Sequence, residues 1–136
     1  MNTYIEVPQP FPEVIPPGVR LLSVYPDDSD SDGKAMLAKI VLACGLSAEK
    51  EARPFAVGNI PVAIAAAARA ARLPFCVVYG LSPKQVGAQW GARAYEWMAD
   101  GETNWCFAER LEVINADPAR KRQLWSCLKR IKEEAS

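Results

Sequence analysis

Apolar positions recur along the chain in two alternating rhythms. Short, nearly unbroken runs read as strands, and runs spaced three and four apart read as helices. Val19-Arg20-Leu21-Leu22-Ser23-Val24-Tyr25 is the first strand pattern, and Pro26 stops it. Met36, Leu37, Ile40, Val41 and Cys44 then recur at helical spacing. Asp32 or a neighbour is placed to cap that helix, and Gly45 to end it. Pro54-Phe55-Ala56-Val57-Gly58 reads as a second short strand. Asn59 predicts a cap for a helix with Pro61 in its first turn, running through the alanine-rich stretch to about Arg72.

Pro74 closes that helix, and Phe75-Cys76-Val77-Val78-Tyr79 follows as the clearest buried strand. Gly80 turns the chain, and Ser82-Pro83 predict a helix ending near Gly87 or Gly91. Ala94–Met98 and Thr103–Phe107 flank the turn dipeptide Asp100-Gly101. Asp117-Pro118 opens the last helix. Its apolar face carries Leu124, Leu128 and Ile131, with Trp125 and Cys127 beside them, and Trp125 is assigned to the core.

Strand and helix thus alternate, and the strands are close to continuously apolar. That pattern predicts an α/β fold: a three-layer α/β/α sandwich around a small, mainly parallel sheet. The chain divides into a proline-rich arm over 1–18 and an α/β domain over 19–136. The arm holds five of the eleven prolines, which favour extended backbone over ladders and helices. Six large apolar groups are interleaved with them: Tyr4, Ile5, Val7, Phe11, Val14 and Ile15. Two readings are open. The arm packs on its own domain, or it docks into a partner and contributes little to folding.

Composition narrows the chemistry. The 136 residues carry 16 basic and 16 acidic side chains, a balance that does not suit bulk attraction to nucleic acid or an anionic membrane. There is no histidine. Ser-His, Cys-His and HExxH sites are therefore excluded. The four cysteines, Cys44, Cys76, Cys106 and Cys127, form no CxxC pair and sit beside apolar residues. They are expected to be reduced core residues of a cytoplasmic protein. No basic-then-apolar segment opens the chain, and the run from Ile60 to Ala68 is too short to span a membrane.

Four constellations bear on function. Asp28-x-Asp30-x-Asp32-Gly33 matches the start of an EF-hand loop, but the closing position holds Lys39 instead of glutamate. A solvated acidic loop before a helix is the simpler reading, with no metal or cofactor expected. Gly80-Leu81-Ser82-Pro83-Lys84 sits where a phosphate loop would, without GxxxxGK[ST] or GxGxxG, and reads as a plain turn. The last helix carries Arg120, Lys121, Arg122, Lys129, Arg130 and Lys132 and no acid between Pro118 and Lys132. It is a solvated polar face or a docking surface for an acidic partner segment or a nucleic-acid backbone. Trp90 and Trp97 lie in irregular, polar sequence and are candidates for interface anchors. The candidate partner surface is therefore Trp90, Trp97, Arg120, Lys121, Arg122, Lys129 and Arg130, beside the six apolar groups of the arm.

Three stretches carry a resemblance. They are Val19–Tyr25 followed by the helix ending Leu37-Ala38-Lys39-Ile40-Val41-Leu42-Ala43-Cys44-Gly45-Leu46; Val77–Gly87; and Phe107–Ile114 followed by Asp117–Trp125 and Leu128-Lys129. In order and spacing they are similar to the uracil-DNA glycosylase-like fold over 19–132, which is a small parallel sheet between helices. The departures bear on activity. Pro26-Asp27-Asp28-Ser29-Asp30 stands where glycosylases carry a glycine-rich water-activating loop, and Asn115-Ala116-Asp117-Pro118 stands where they carry a histidine. The base pocket thus has no matching residues.

Within that fold the chain resembles the psi subunit family of the bacterial DNA polymerase III clamp-loader complex. The likeness lies in its length, its N-terminal segment, Val19-Arg20-Leu21-Leu22, Asp117-Pro118-Ala119-Arg120 and Leu124-Trp125. The resemblance implies a non-catalytic adaptor in DNA replication. The arm would attach to clamp-loader subunits, and the domain would hold a chi-like subunit, with an indirect link to single-strand binding protein. Direct nucleic-acid binding would be weak or absent, and no membrane would be involved. The alternative is a nucleic-acid-binding protein or residual enzyme on the glycosylase-like scaffold.

Overall fold

The computed structural model of the protein describes residues 7–135. It is an α/β structure with five strands and four α-helices. In chain order these are β1 (Leu21–Pro26), α1 (Ser31–Ala43), β2 (Ala52–Val57), α2 (Ile64–Ala71), β3 (Phe75–Tyr79), β4 (Trp97–Asp100), β5 (Thr103–Ala108), α3 (Leu111–Asn115) and α4 (Pro118–Ala135). The sheet order is β2-β1-β3-β5-β4. The first four strands run parallel, and β4 is an antiparallel edge hairpinned onto β5. Pro54 lies on the other edge strand, β2, where a missing N–H leaves no ladder bond unmade.

Side chains alternate across the pleat and divide the core in two. Leu21, Phe75, Val77, Tyr79 and Cys106 face one side. They are covered by Met36, Leu37, Ile40 and Val41 of α1, Leu111 and Ile114 of α3, and Leu124, Leu128 and Ile131 of α4. Leu22, Val24, Cys76, Val78, Trp105 and Phe107 face the other side, covered by Ile64, Ala65 and Ala68 of α2. Strands buried on both faces must be apolar at successive positions, which is why the strand runs are continuous. Truncating any fully buried member, such as Leu124 or Ile114, would cost about 2–5 kcal/mol.

Several local expectations meet competing interactions. Pro26 ends β1 as its last paired residue, opposite Val57. Asp30, rather than Asp32, caps α1 by accepting a bond from the Gly33 amide at 2.6 Å. Asn59 does not cap α2, which starts at Ile64 after an Ala63 that makes no side-chain cap. The intervening backbone is committed elsewhere: Val62 N–H donates to Gln85, and Ala63 N–H to Gln9. The segment after Ser82 forms only a single 3₁₀ turn at Lys84–Val86, ended by Gly87 at φ +76. A Cβ on Gly87 would sit 2.9 Å from Ala63 Cα, so this turn is pressed against the start of α2.

The described part of the arm packs on its own domain. Gln9 bridges Val62, with its N–H donating to Pro61 at 2.8 Å and its carbonyl accepting from Ala63 at 2.7 Å. Phe11 lies 4.7 Å from the Phe55 ring, and Phe11 and Ile15 join the α2-side core. Apolar spacing outweighs the lack of proline donors here, because side-chain burial needs no ladder.

Candidate functional site

In a parallel sheet with helices on both faces, ligands gather outside the C-terminal strand ends, where neighbouring connections diverge. Here that point lies between β1 and β3, bounded by Asp27, Asp28 and Gly80. Arg110, following β5, lies across it. Gly80 has φ +68, and a Cβ there would come within 3.0 Å of Arg110 Cα. The Arg110 guanidinium pairs with Asp28 at 2.9 Å and with Glu112 at 2.5 Å. Asp27 is pressed against Gly58 on the adjoining connection. The rest of the acidic loop is engaged locally: Asp30 caps α1, and the Ser29 hydroxyl donates to Pro26 O at 2.7 Å. Among the described residues no three acidic or thiol side chains converge as metal ligands would.

The basic helix α4 separates into two groups. Arg120 and Arg130 are built into the fold. Arg120 bonds both oxygens of Glu109 at 2.7 and 2.8 Å and pairs with Asp117. Those partners hold its charge firmly in place. Glu109 also accepts from the Tyr95 hydroxyl at 3.1 Å. Burial pushes that phenol up to about 12, so it remains a donor. Arg130 donates to Asn104 at 3.1 Å and lies 5.5 Å from the centre of the Trp97 ring, a cation–π arrangement. The Trp97 indole N–H donates to Cys127 O at 3.0 Å. Trp97 is thus half-buried and clamped between the hairpin and α4. Trp90, also half-buried, packs edge-on against Trp105 and Phe107 on the opposite face.

Lys121, Arg122 and Lys129 form the second group, with no ion pair among the described residues. Lys121 and Lys129 border a groove between α4 and α1. Trp125, assigned to the core from its helical position, is half-buried in this groove and lines both of its hollows. One, about 240 Å³, is bounded by Asp32, Ala35, Met36, Lys39, Ile40, Asn115, Lys121, Leu124 and Trp125. The other, about 230 Å³, is bounded by Ala43, Cys44, Trp125, Leu128, Lys129 and Lys132. α3 packs against both α1 and α4, and the small Ala35 and Ala43 on α1 line the hollows that Trp125 borders.

Sequence reasoning missed Trp125 and Lys39 as members of this site. The available signal was the stripe Lys121, Trp125, Lys129, Lys132, which repeats at helical spacing on one flank of α4 beside the core positions. Of the arm residues, Phe11 and Ile15 are half-buried against the domain, Val7 and Val14 are exposed, and Tyr4 and Ile5 lie outside the described residues. Among the described residues no helix is long and apolar enough to cross a membrane. No protein-family model, no curated protein and no solved structure matches the chain.

Proposed function

We propose that the chain is a non-catalytic adaptor resembling the psi subunit of the DNA polymerase III clamp-loader complex, on a uracil-DNA glycosylase-like scaffold. It would join clamp-loader subunits to a chi-like subunit, and through that subunit reach single-strand binding protein. The observation that carries the non-catalytic part is the crossing of Arg110 over the β1–β3 strand ends. A base-excising enzyme needs an open pocket and a water-activating acid there. In this chain, Asp28 is held in an ion pair and Asp27 abuts Gly58. The scaffold assignment is supported by the mainly parallel sheet between its two helix-lined cores. The partner class is supported by the likeness of Val19–Leu22, Asp117–Arg120 and Leu124-Trp125 to the psi family.

The test is co-purification of the full chain with the clamp loader and chi subunit of the source organism. A stable assembly containing both is expected, and Tyr4→Ala with Ile5→Ala should release the clamp loader while keeping chi. Retention of neither partner would overturn the proposal. So would release of uracil from DNA that Asp27→Asn or Asp28→Asn abolishes.

A further inference from the structure

The α1–α4 groove combines two features that no internal packing role requires. Trp125 stands between two hollows whose buried floor is Met36, Ile40, Leu124 and Leu128, and the half-buried indole with the exposed Ala35 and Ala43 leaves apolar surface open to solvent. Cations border it on both sides, with Lys39 on α1 and Lys121 and Lys129 on α4. Asp32, at the α1 N-terminus, is the acidic side chain lining the two hollows, and it lies at one end. Like charges gathered around an apolar surface repel one another until a partner neutralises them. Such a groove therefore favours an occupant that is acidic and also brings apolar side chains.

We infer that this groove binds a short acidic peptide segment whose leucine-like side chains enter the two hollows on either side of Trp125. Each hollow suits one such side chain, and the aspartates or glutamates between them face Lys39, Lys121 and Lys129. A nucleic-acid strand fits less well. The hollows are recessed between helices instead of forming an open platform on which bases could stack. The inference does not depend on the clamp-loader assignment, and its test uses no replication protein.

The probe is a fluorescently labelled synthetic peptide of alternating glutamate and leucine-bearing turns, titrated with the full chain and followed by anisotropy. Saturable binding is expected, weakened by added salt. A version with every glutamate replaced by glutamine should bind at least about tenfold more weakly. Lys121→Glu combined with Lys129→Glu should weaken binding by about tenfold or more. Lys129 is exposed and Lys121 partly so, and neither has an ion pair among the described residues to lose, so an unchanged circular-dichroism spectrum is expected. Lys84→Glu, outside both hollows, should change nothing. Trp125→Ala should weaken the glutamate and glutamine peptides alike. Three results would overturn the inference: no binding of the acidic peptide, undiminished binding to the Lys121/Lys129 variant, or tighter binding of a labelled oligothymidylate through the same two lysines.

Discussion

At the scale of single residues, the four cysteines and Asp117 make contrasting use of proton chemistry. Burial pushes the Cys44 thiol up to about 11, and it raises Cys76 and Cys106 as well. Cys127 is only half-buried; burial raises its thiol too, and the neighbouring Cys106 thiol works against that rise. The Cys127 thiol donates to Tyr95 O at 2.8 Å and lies beside that of Cys106. Because reaction needs access to the sulfur as well as its thiolate, an aromatic disulfide reagent at about pH 8 should titrate Cys127 alone, and slowly, in the native protein. All four thiols should react in denaturant. Rapid native reaction of Cys76 or Cys106 would contradict the packing of the central strands.

Asp117 is shifted the other way. Its carboxylate accepts from the Ala119 amide at 2.9 Å and pairs with Arg120, so its acidity increases. A carboxyl lowered on folding adds stability that is present above its unfolded value, about 3.9, and is lost as pH falls through the folded one. Asp117→Asn should therefore reduce the thermal midpoint at neutral pH, and the gap should close as the medium is acidified below about pH 4. A gap that stayed constant with pH would remove the carboxylate from the cap.

Among the elements, the arm is the one whose sequence pointed two ways. Its prolines argued for a segment independent of the sheet. In the structure, Gln9 hydrogen-bonds the backbone just before α2, and the Phe11 ring packs at a tilt against Phe55 of the edge strand. Phe11→Ala should cost about 1–2 kcal/mol, below the 3–5 of a fully buried phenylalanine. Removing residues through Pro17 should lower the thermal midpoint by roughly 5–10 °C, measured by circular dichroism. An unchanged midpoint would mean that the arm only rests on the domain. The α2 segment gives the complementary lesson. Asn59 and Pro61 have the composition of a helix start, but Gln9 and Gln85 take the Ala63 and Val62 amides, so the helix begins three residues past that proline. A contact with residue 9 leaves no trace in the local spacing of residues 59–64.

Over the whole molecule, what was legible follows from what controls each feature. β3 was readable to the residue, because a strand buried on both faces must be apolar throughout, and Phe75–Tyr79 is. The division of α4 into fixed and unengaged cations was not readable, since Glu109, Asn104 and Trp97 reach Arg120 and Arg130 only once β4, β5 and α4 are assembled. The Trp125 groove was hidden for a related reason. The helical stripe placed the ring beside the core, but only the spacing of α1 from α4 decides whether anything covers it.

The position of α4 in the chain has a consequence for synthesis. Leu124, Leu128 and Ile131 close the face formed by β1, β3 and β5, and they are made only after all of its strands. At about 5–20 residues per second, roughly 10 s separate the emergence of β1 from that of Ile131. Throughout that interval Leu21 and then Phe75 and Val77 lack their final cover. Uncovered apolar surface of that kind is aggregation-prone until α4 has been made, and a stop codon early in α4 should yield material for degradation instead of a stable shortened protein.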